Sequence, residues 1–486
     1  MSTSTVAPSL TEAETTQEMQ AGLSGRLATL DIALATLAYA GPLAGATGYL
    51  AVVIGMGNGV GAPSLFLGMM IALLIFSVGY SRMSRHIPNP GAFYAYITAG
   101  LGRSVGLASA FFALATYLGV GWGFYAFAGI VSEQFVARFG FTDLPWWAYT
   151  LGYWALTGTL AYFHINVSAK VLGVLLIAEV LIIVVFDVLV FAHGGKEGIS
   201  LEPFTPGAAL SGNLGIALVF GIGFFNGFEA TAIYREETKD PHITIPRATY
   251  LVVLFIGIFY AITAWAFLSG MGLTDAVELS RQDPSNSFFV VAETFGGHLI
   301  VDLMGPLLLT SVFAAHLSIQ NVASRYVYSL AVDGVLPAAL AKAHPRHQSP
   351  HRASITVSAI YVLGLACFIL GGMTALDIYA QYGGLAQIGV TVAMCVTSLA
   401  AVAFFARNKA FRGNGLATIV APLVAFLCLA TFAYLGVSNL SVLTGAATWV
   451  NVAMISGLGG IWVFGYAYAR WLKSNRPVIY SKIGRQ

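Results

Sequence analysis

Two of the twelve long apolar stretches in this 486-residue chain are interrupted near their middles by glycine-rich sequence. The first stretch reads Tyr39-Ala40-Gly41-Pro42-Leu43-Ala44-Gly45 at its interruption, and the sixth reads Gly221-Ile222-Gly223-Phe224-Phe225-Asn226-Gly227. Unwound backbone inside lipid leaves N–H and C=O groups without partners, at a cost of roughly several kcal/mol each, so it survives only where protein encloses it or where it lines a cavity. Glycines that merely allow close helix packing are the simpler reading. Gly41-Pro42 argues for a true break, because proline removes a helix hydrogen bond and clashes with the preceding turn. Breaks at corresponding positions of two halves point to a binding site between them.

The lipid setting follows from composition. With 57% hydrophobic and 9% charged residues, the chain is far from the roughly 25% charge of a soluble globule. Runs near the ~20 residues needed to cross a bilayer predict spans at about 28–55, 62–85, 104–137, 146–164, 167–193, 211–236, 247–270, 298–330, 352–372, 377–406, 415–437 and 448–472. An even number of spans puts both termini on one side, and the basic residues say which. With a cytoplasmic N-terminus, only Arg138, Lys196 and Arg281 of the 23 lysines and arginines fall outside, which is the positive-inside asymmetry. The expected location is therefore the cytoplasmic membrane, multi-pass, with both ends cytoplasmic.

Several function classes drop out. The net charge of +2 is a polarised membrane distribution and carries no nucleic-acid signal. Residues 1–27 read as a flexible cytoplasmic tail without the basic start of a secretory signal, and 473–486 as a basic cytoplasmic tail. Cys367, Cys395 and Cys428 lie within spans, with neither metal-ligand spacing nor an extracellular pair. No segment fits a phosphate-binding loop, a dinucleotide fingerprint or a zinc helix, so ATP-driven transport by this chain alone is unsupported and no cofactor or metal is expected; a membrane-embedded enzyme is the non-transport rival, and the sparse intramembrane His and carboxylates form no metal or nucleophile constellation for it. Expected partners are membrane lipid and a small-molecule substrate; oligomeric state stays open. Asn89, followed by Pro90, suits a helix start, predicting a short interfacial helix on the cytoplasmic side, and the segment 271–297 can hold another on the outer side.

Three segments carry a resemblance. Pro88-Asn89-Pro90-Gly91-Ala92-Phe93-Tyr94-Ala95-Tyr96 resembles the signature after the second span of amino acid, polyamine and organocation permeases. Phe225-Asn226-Gly227-Phe228-Glu229 is similar to their sixth-span break. Asn321 through Ser324-Arg325-Tyr326-Val327-Tyr328 to Asp333-Gly334-Val335-Leu336-Pro337 resembles the end of their eighth span. The resemblance implies an all-α membrane fold of two inverted five-helix repeats, 28–193 and 211–406, followed by two further helices over 415–472. It also implies alternating access, with substrate at the broken helices one and six.

Candidate substrate contacts are Tyr39, Gly41, Pro42, Leu43, Ala44 and Gly45 in the first break, and Gly223, Phe224, Phe225, Asn226 and Gly227 in the sixth, with Thr116 and Tyr117 from the third span. Half-helix N-termini present unpaired N–H groups that suit a carboxylate. The Gly41-Pro42-Leu43-Ala44-Gly45 sequence departs from the compact break of typical amino acid permeases, however, and is closer to the form of some amine and polyamine permeases of the superfamily. A polyamine or amino alcohol therefore competes with an amino acid as substrate. Ionisable residues within the hydrocarbon are functional candidates by default. Glu229 follows the sixth break, and Glu179 sits near the centre of span five, where some proton-linked relatives have a lysine. Both are candidates for proton coupling, with H⁺ as the expected ion and Na⁺ as the alternative. His316 in span eight is expected to be a packing residue. A carrier of six plus six spans is the architectural rival, but Arg82-Met83-Ser84-Arg85-His86-Ile87-Pro88 lacks its basic motif.

Overall fold

Lipid leaves a chain of this composition only structures that satisfy every backbone group internally, and the computed structural model is built of helices joined by turns, with no strand beyond one isolated bridge among the described residues. Described are residues 27–87, 89, 91, 93–140, 144–163, 166–344 and 349–484, without the side chains of 163–172 and of Glu236 and Glu237. The readings made for 1–26, Pro88, Pro90, Ala92, the Lys170 side chain, Arg346 and Arg485 lie outside them.

Ten helical stretches among the described residues are long and apolar enough to cross a membrane. The first, Thr29–His86, runs through both of the first two expected spans. Within it, α1 (Thr29–Ala40) ends on Gly41 in the left-handed region at φ 56°. The chain then continues as α2, residues 42–58, in alternating α and π turns. Non-helical Gly57 and left-handed Gly59 (φ 61°) turn it into α3 (Ala62–His86). The expected fourth span is an 18-residue helix, Trp146–Phe163.

The remaining elements used below are α4 (Phe93–Leu101), α5 (Arg103–Ala137), α6 (Trp146–Phe163), α7 (Asn166–Ala192), α8 (Leu214–Gly223), the 3₁₀ segment α9 (Phe228–Glu237) and α10 (Pro241–Met271). They are followed by α11 (Leu273–Gln282), α12 (Ser287–Val332), α13 (His351–Leu370), α14 (Ala375–Arg407), α15 (Leu416–Ser438) and α16 (Thr448–Asn475). Gly297, at φ 66°, divides α12 near the start expected for span eight. The helix foreseen between spans seven and eight is α11, with Asp275 in its first turn and Arg281 in its last, the arrangement a helix dipole favours. It packs on α2 so closely that a methyl at Gly55 would lie 2.6 Å from the Ser280 carbonyl carbon.

The interfacial helix expected after span two forms as α4, but it is embedded rather than laid on a surface. Phe93, Tyr94, Ala95, Tyr96 and Ile97 are all buried. Glycine makes this possible: a methyl at Gly100 would stand 2.1 Å from the Ala400 carbonyl oxygen, so α4 meets α14 backbone to backbone. Asn89 folds back to accept from the Gly91 N–H at 2.8 Å and donates to the Gly484 carbonyl at 2.6 Å.

α3 lies along α10, α5 along α16, and α14 between α15 and α5. At the centre of this packing, the stretch Leu214–Arg235 is enclosed over its whole apolar window, whereas only 11% of the window of α16 is buried. A helix apolar all round and buried on every side belongs to the core of the bundle.

Candidate functional site

The first break takes its shape from Gly41 and Pro42. A left-handed residue costs an L side chain roughly 1–2 kcal/mol, and Gly41 also sits where a methyl would lie 3.3 Å from Ala315 and 3.4 Å from the Ser311 hydroxyl. Helix α2 then begins with groups that have no intrahelical acceptor. Pro42 contributes no N–H, and the Ala44 N–H donates to Ser311 Oγ of α12 at 3.3 Å. The Gly45 N–H closes back on the Gly41 carbonyl at 2.8 Å. On the preceding turn, Tyr260 of α10 donates to the Pro42 carbonyl at 2.9 Å. Glu179 of α7 is buried in the neighbourhood of Leu43 and Ser311, and its Oε2 has no hydrogen-bond partner.

The sixth break is held locally. Gly227 is left-handed at φ 101°, and its N–H donates to Glu229 Oε2 at 3.0 Å. The same carboxyl accepts, on Oε1, from the Tyr117 hydroxyl of α5 at 2.9 Å. Tyr80 of α3 donates to the Glu229 carbonyl. A methyl at Gly227 would lie 2.7 Å from the Tyr39 ring, so the sixth break closes directly on the first. The reciprocal contact is at Gly45, where a methyl would meet the Tyr260 hydroxyl at 2.6 Å and Phe224 at 3.0 Å. Beyond the break, α9 keeps 3₁₀ geometry for ten residues, long for a helix type rarely sustained past three or four and associated with hinges.

An aromatic layer lies against this interlock. Phe224 packs on Tyr260, Phe66 and Tyr49 with ring centroids 4.3, 4.9 and 5.8 Å away. Tyr49 stacks on Tyr379 at 5.8 Å, and Tyr379 on Phe127 at 5.1 Å. Tyr49 and Tyr379 both sit on π-helical turns, Gly45–Tyr49 and Tyr379–Gly383. Asn226 donates to Gln387 Oε1 of α14 at 2.6 Å, leaving Asn226 Oδ1 and Gln387 Nε2 buried and unpartnered.

Tyr39, Leu43, Ala44, Gly45, Tyr117, Gly223, Phe224, Phe225, Asn226, Gly227, Glu179 and Glu229 are thus gathered in one enclosed region around Gly41 and Pro42. Phe225 is fully buried. Space at Gly223 is taken up by Gln387 and Tyr49, each 3.4 Å from where a methyl would stand. Thr116 is not gathered in. Its hydroxyl donates to the Phe112 carbonyl at 2.9 Å, and the residue lines a separate apolar cavity of about 340 Å³ with Trp122, Tyr382 and Met454. Ser311, Tyr260, Tyr49, Tyr379 and Gln387 were not foreseen. Gln387 alone carried a signal, as an amide in an apolar span. His316 packs against Tyr125 and Tyr361, Asp31 accepts from the Ala28 N–H at the start of its own helix, and Asp187 accepts from Thr263 at 3.1 Å. Arg325 lies over the Tyr234 ring, and Asp333 accepts from the Tyr94 hydroxyl at 2.5 Å. No group of three or more metal-ligating side chains occurs among the described residues.

The family model described as amino acid permease matches residues 40–477. Similar curated proteins include the low-affinity putrescine importer PlaP of Escherichia coli, 26% identical over 423 residues that cover 82% of this chain and 83% of the relative. The branched-chain amino acid permease BcaP of Bacillus subtilis is 24% identical over 425 residues, covering 79% and 83%. The lysine-specific permease LysP of Escherichia coli is 25% identical over 347 residues, covering 68% and 69%.

Proposed function

Because the chain belongs to the amino acid permease family, we propose that it is a secondary transporter of an amino acid or closely related small amine, driven by protons and working by alternating access at the broken helices. One observation carries this reading: the two breaks interlock, Gly227 against Tyr39 and Gly45 against Phe224. Backbone left unwound within a bundle is kept where it borders a ligand. The relatives' names span a diamine, branched-chain amino acids and lysine, which supports a small amine-bearing substrate.

In this reading the architecture is twelve helices in two inverted repeats, 28–193 and 211–406, plus two helices over 415–472, with both termini cytoplasmic. Substrate lies among Tyr39, Gly41, Leu43, Ala44, Tyr117, Phe224, Phe225 and Asn226. Tyr49, Tyr379 and Phe127 form a stacked layer that must part to let it through. Glu179 touches both the first break and α12, so protonating or ionising it changes the contacts that tie these two elements together. That makes it the coupling carboxyl. Glu229 pins the sixth break and meets the substrate ammonium.

The test is uptake of radiolabelled amines and amino acids into proteoliposomes under an inward proton gradient, beside counterflow without one. Accumulation that follows the pH gradient is expected. Uptake that follows sodium instead would remove the proton assignment, and the absence of both uptake and counterflow would remove the transporter reading.

A further inference from the structure

The end of the chain, read from its sequence as a basic tail, is packed into the molecule. After α16 comes a helix of six residues, α17 (Pro477–Lys482), and the two residues that follow it, Ile483 and Gly484, are buried. Chain ends are loose unless something ties them down. Here Gly484 is tied at both of its backbone groups. Its N–H is shared between the Tyr94 hydroxyl at 2.8 Å and Asp333 Oδ2 at 3.0 Å, and its carbonyl accepts from the Asn89 side chain at 2.6 Å. Asn89, Tyr94 and Asp333 are themselves buried. The recess they form takes glycine and excludes a side chain, because φ is 76° and a methyl would lie 2.7 Å from Thr98 Cγ2. Beside it, the Tyr480 and Ser104 hydroxyls lie 3.1 Å apart, and Ile479 stands 3.6 Å from where a methyl on Gly334 would be.

Asn89 stands in the connection from α3 to α4, and Asp333 is the C-cap of α12. Helix α3 also carries Tyr80, which donates to the Glu229 carbonyl at the sixth break, and α12 carries Ser311, which accepts from the Ala44 amide at the first. Gly484 therefore joins, at one end of the bundle, the two helices that hold the two breaks. The join is separable. Tyr94 also donates directly to Asp333 Oδ2 at 2.5 Å, and Asn89 also accepts from the Gly91 N–H at 2.8 Å, so neither Asp333 nor Asn89 is orphaned when the tail leaves. Helix α17 is well short of the roughly 12–15 residues at which a helix holds by itself. It hangs on α16, whose apolar window, 11% buried, is the least enclosed of the ten.

We propose that Ile483 and Gly484 are an autoinhibitory latch: docked, they fasten α3 to α12 and slow the change of shape that transport requires, and undocked, they let the two helices shift. This rests on the transporter reading above and adds a regulatory segment to it. The experiment compares the full-length protein with a chain ending at Lys482 and with Gly484→Val, which keeps the length and loses the fit. Spin labels at Arg85 and Val332, exposed near the ends of α3 and α12, read the join without any substrate, in a background with Cys367 and Cys428 replaced by serine.

One distance is expected in the full-length protein, and a second, longer population in both altered chains. Counterflow of the compound identified by the uptake test above should run about threefold to tenfold faster in both, the scale of one net hydrogen bond. A tail that is only structural would instead slow turnover. An unchanged distance distribution, or turnover that is unchanged or slower, would overturn the latch while leaving the transporter reading intact. Failure of both altered chains to run as folded species on size exclusion would make the tail structural and overturn it too. Absence of uptake and counterflow in the full-length protein would remove the transporter reading, and the distances would then decide by themselves whether the tail fastens α3 to α12.

Discussion

In the sixth helix the carboxyl that fills the gap comes from the same stretch of chain, Glu229 receiving the Gly227 amide two residues back. In the first the gap is filled from another helix, the Ala44 amide donating to the Ser311 hydroxyl of α12, with the Glu179 carboxyl of α7 buried nearby. The two breaks expose the same kind of backbone donor, yet one is capped locally and the other by its neighbours. A local cap travels with its helix. A cap supplied from α12 holds only while that helix keeps its place against the first. On this difference rests the proposal that Glu229 serves binding and gating and Glu179 coupling.

The comparison is tested most severely by filling the gaps. Gly227→Leu adds a side chain where a Cβ alone would stand 2.7 Å from Tyr39, at a left-handed residue, and Gly45→Leu drives into Tyr260 and Phe224. Overpacking of this kind costs about 1–3 kcal/mol or more, and both variants should lose uptake entirely while still reaching the membrane, as read by uptake assay beside size-exclusion of the detergent-solubilised protein. Normal transport by either would break the placement of the site.

Exchanging the carboxyls comes next in size. Glu179→Gln should keep counterflow and lose accumulation driven by a pH gradient, whereas Glu229→Gln should weaken substrate binding about tenfold, on the scale of a hydrogen bond to a charged group. Both are read in liposomes clamped at several pH values. Proton-driven accumulation surviving in Glu179→Gln would erase the distinction between the breaks.

Smaller effects sharpen it. Ser311→Ala leaves the Ala44 amide without its acceptor and should destabilise the protein by about 1–3 kcal/mol, seen as a lower melting temperature that substrate only partly restores. Tyr117→Phe removes one of the two donors to the Glu229 carboxyl, so about 0.5–1.5 kcal/mol is expected, seen as a few-fold loss of binding without loss of coupling. A larger defect from Tyr117→Phe than from Ser311→Ala would reverse the ranking of local and borrowed caps.

Glycine, proline and the near absence of charge were enough to read a membrane protein with broken first and sixth helices, because those residue types act on the backbone where they stand. Glu229 was legible for the same reason, since it lies two residues beyond the glycine whose amide it accepts. The depth of α4 was not, because a run of aromatics beside glycines fits a surface helix as well as a buried one until the Gly100–Ala400 approach is known. Nor was the fate of Thr116, whose neighbour Tyr117 points into the site while it faces a separate cavity; adjacent helical residues diverge by about 100°, and only the packing of α5 decides which one faces the break. Tyr49 and Tyr379 meet because π turns in two distant helices bring them face to face.

By itself, then, the sequence determined the lipid setting, the positions of the two breaks and the local cap at Gly227, all properties of short runs of chain. The identity of the group that caps Ala44, and the closure of Gly227 on Tyr39, were decided by tertiary structure. They depend on which faces of α7, α10 and α12 turn toward the gap, and helices apolar on nearly every face carry no pattern in their sequence to fix that.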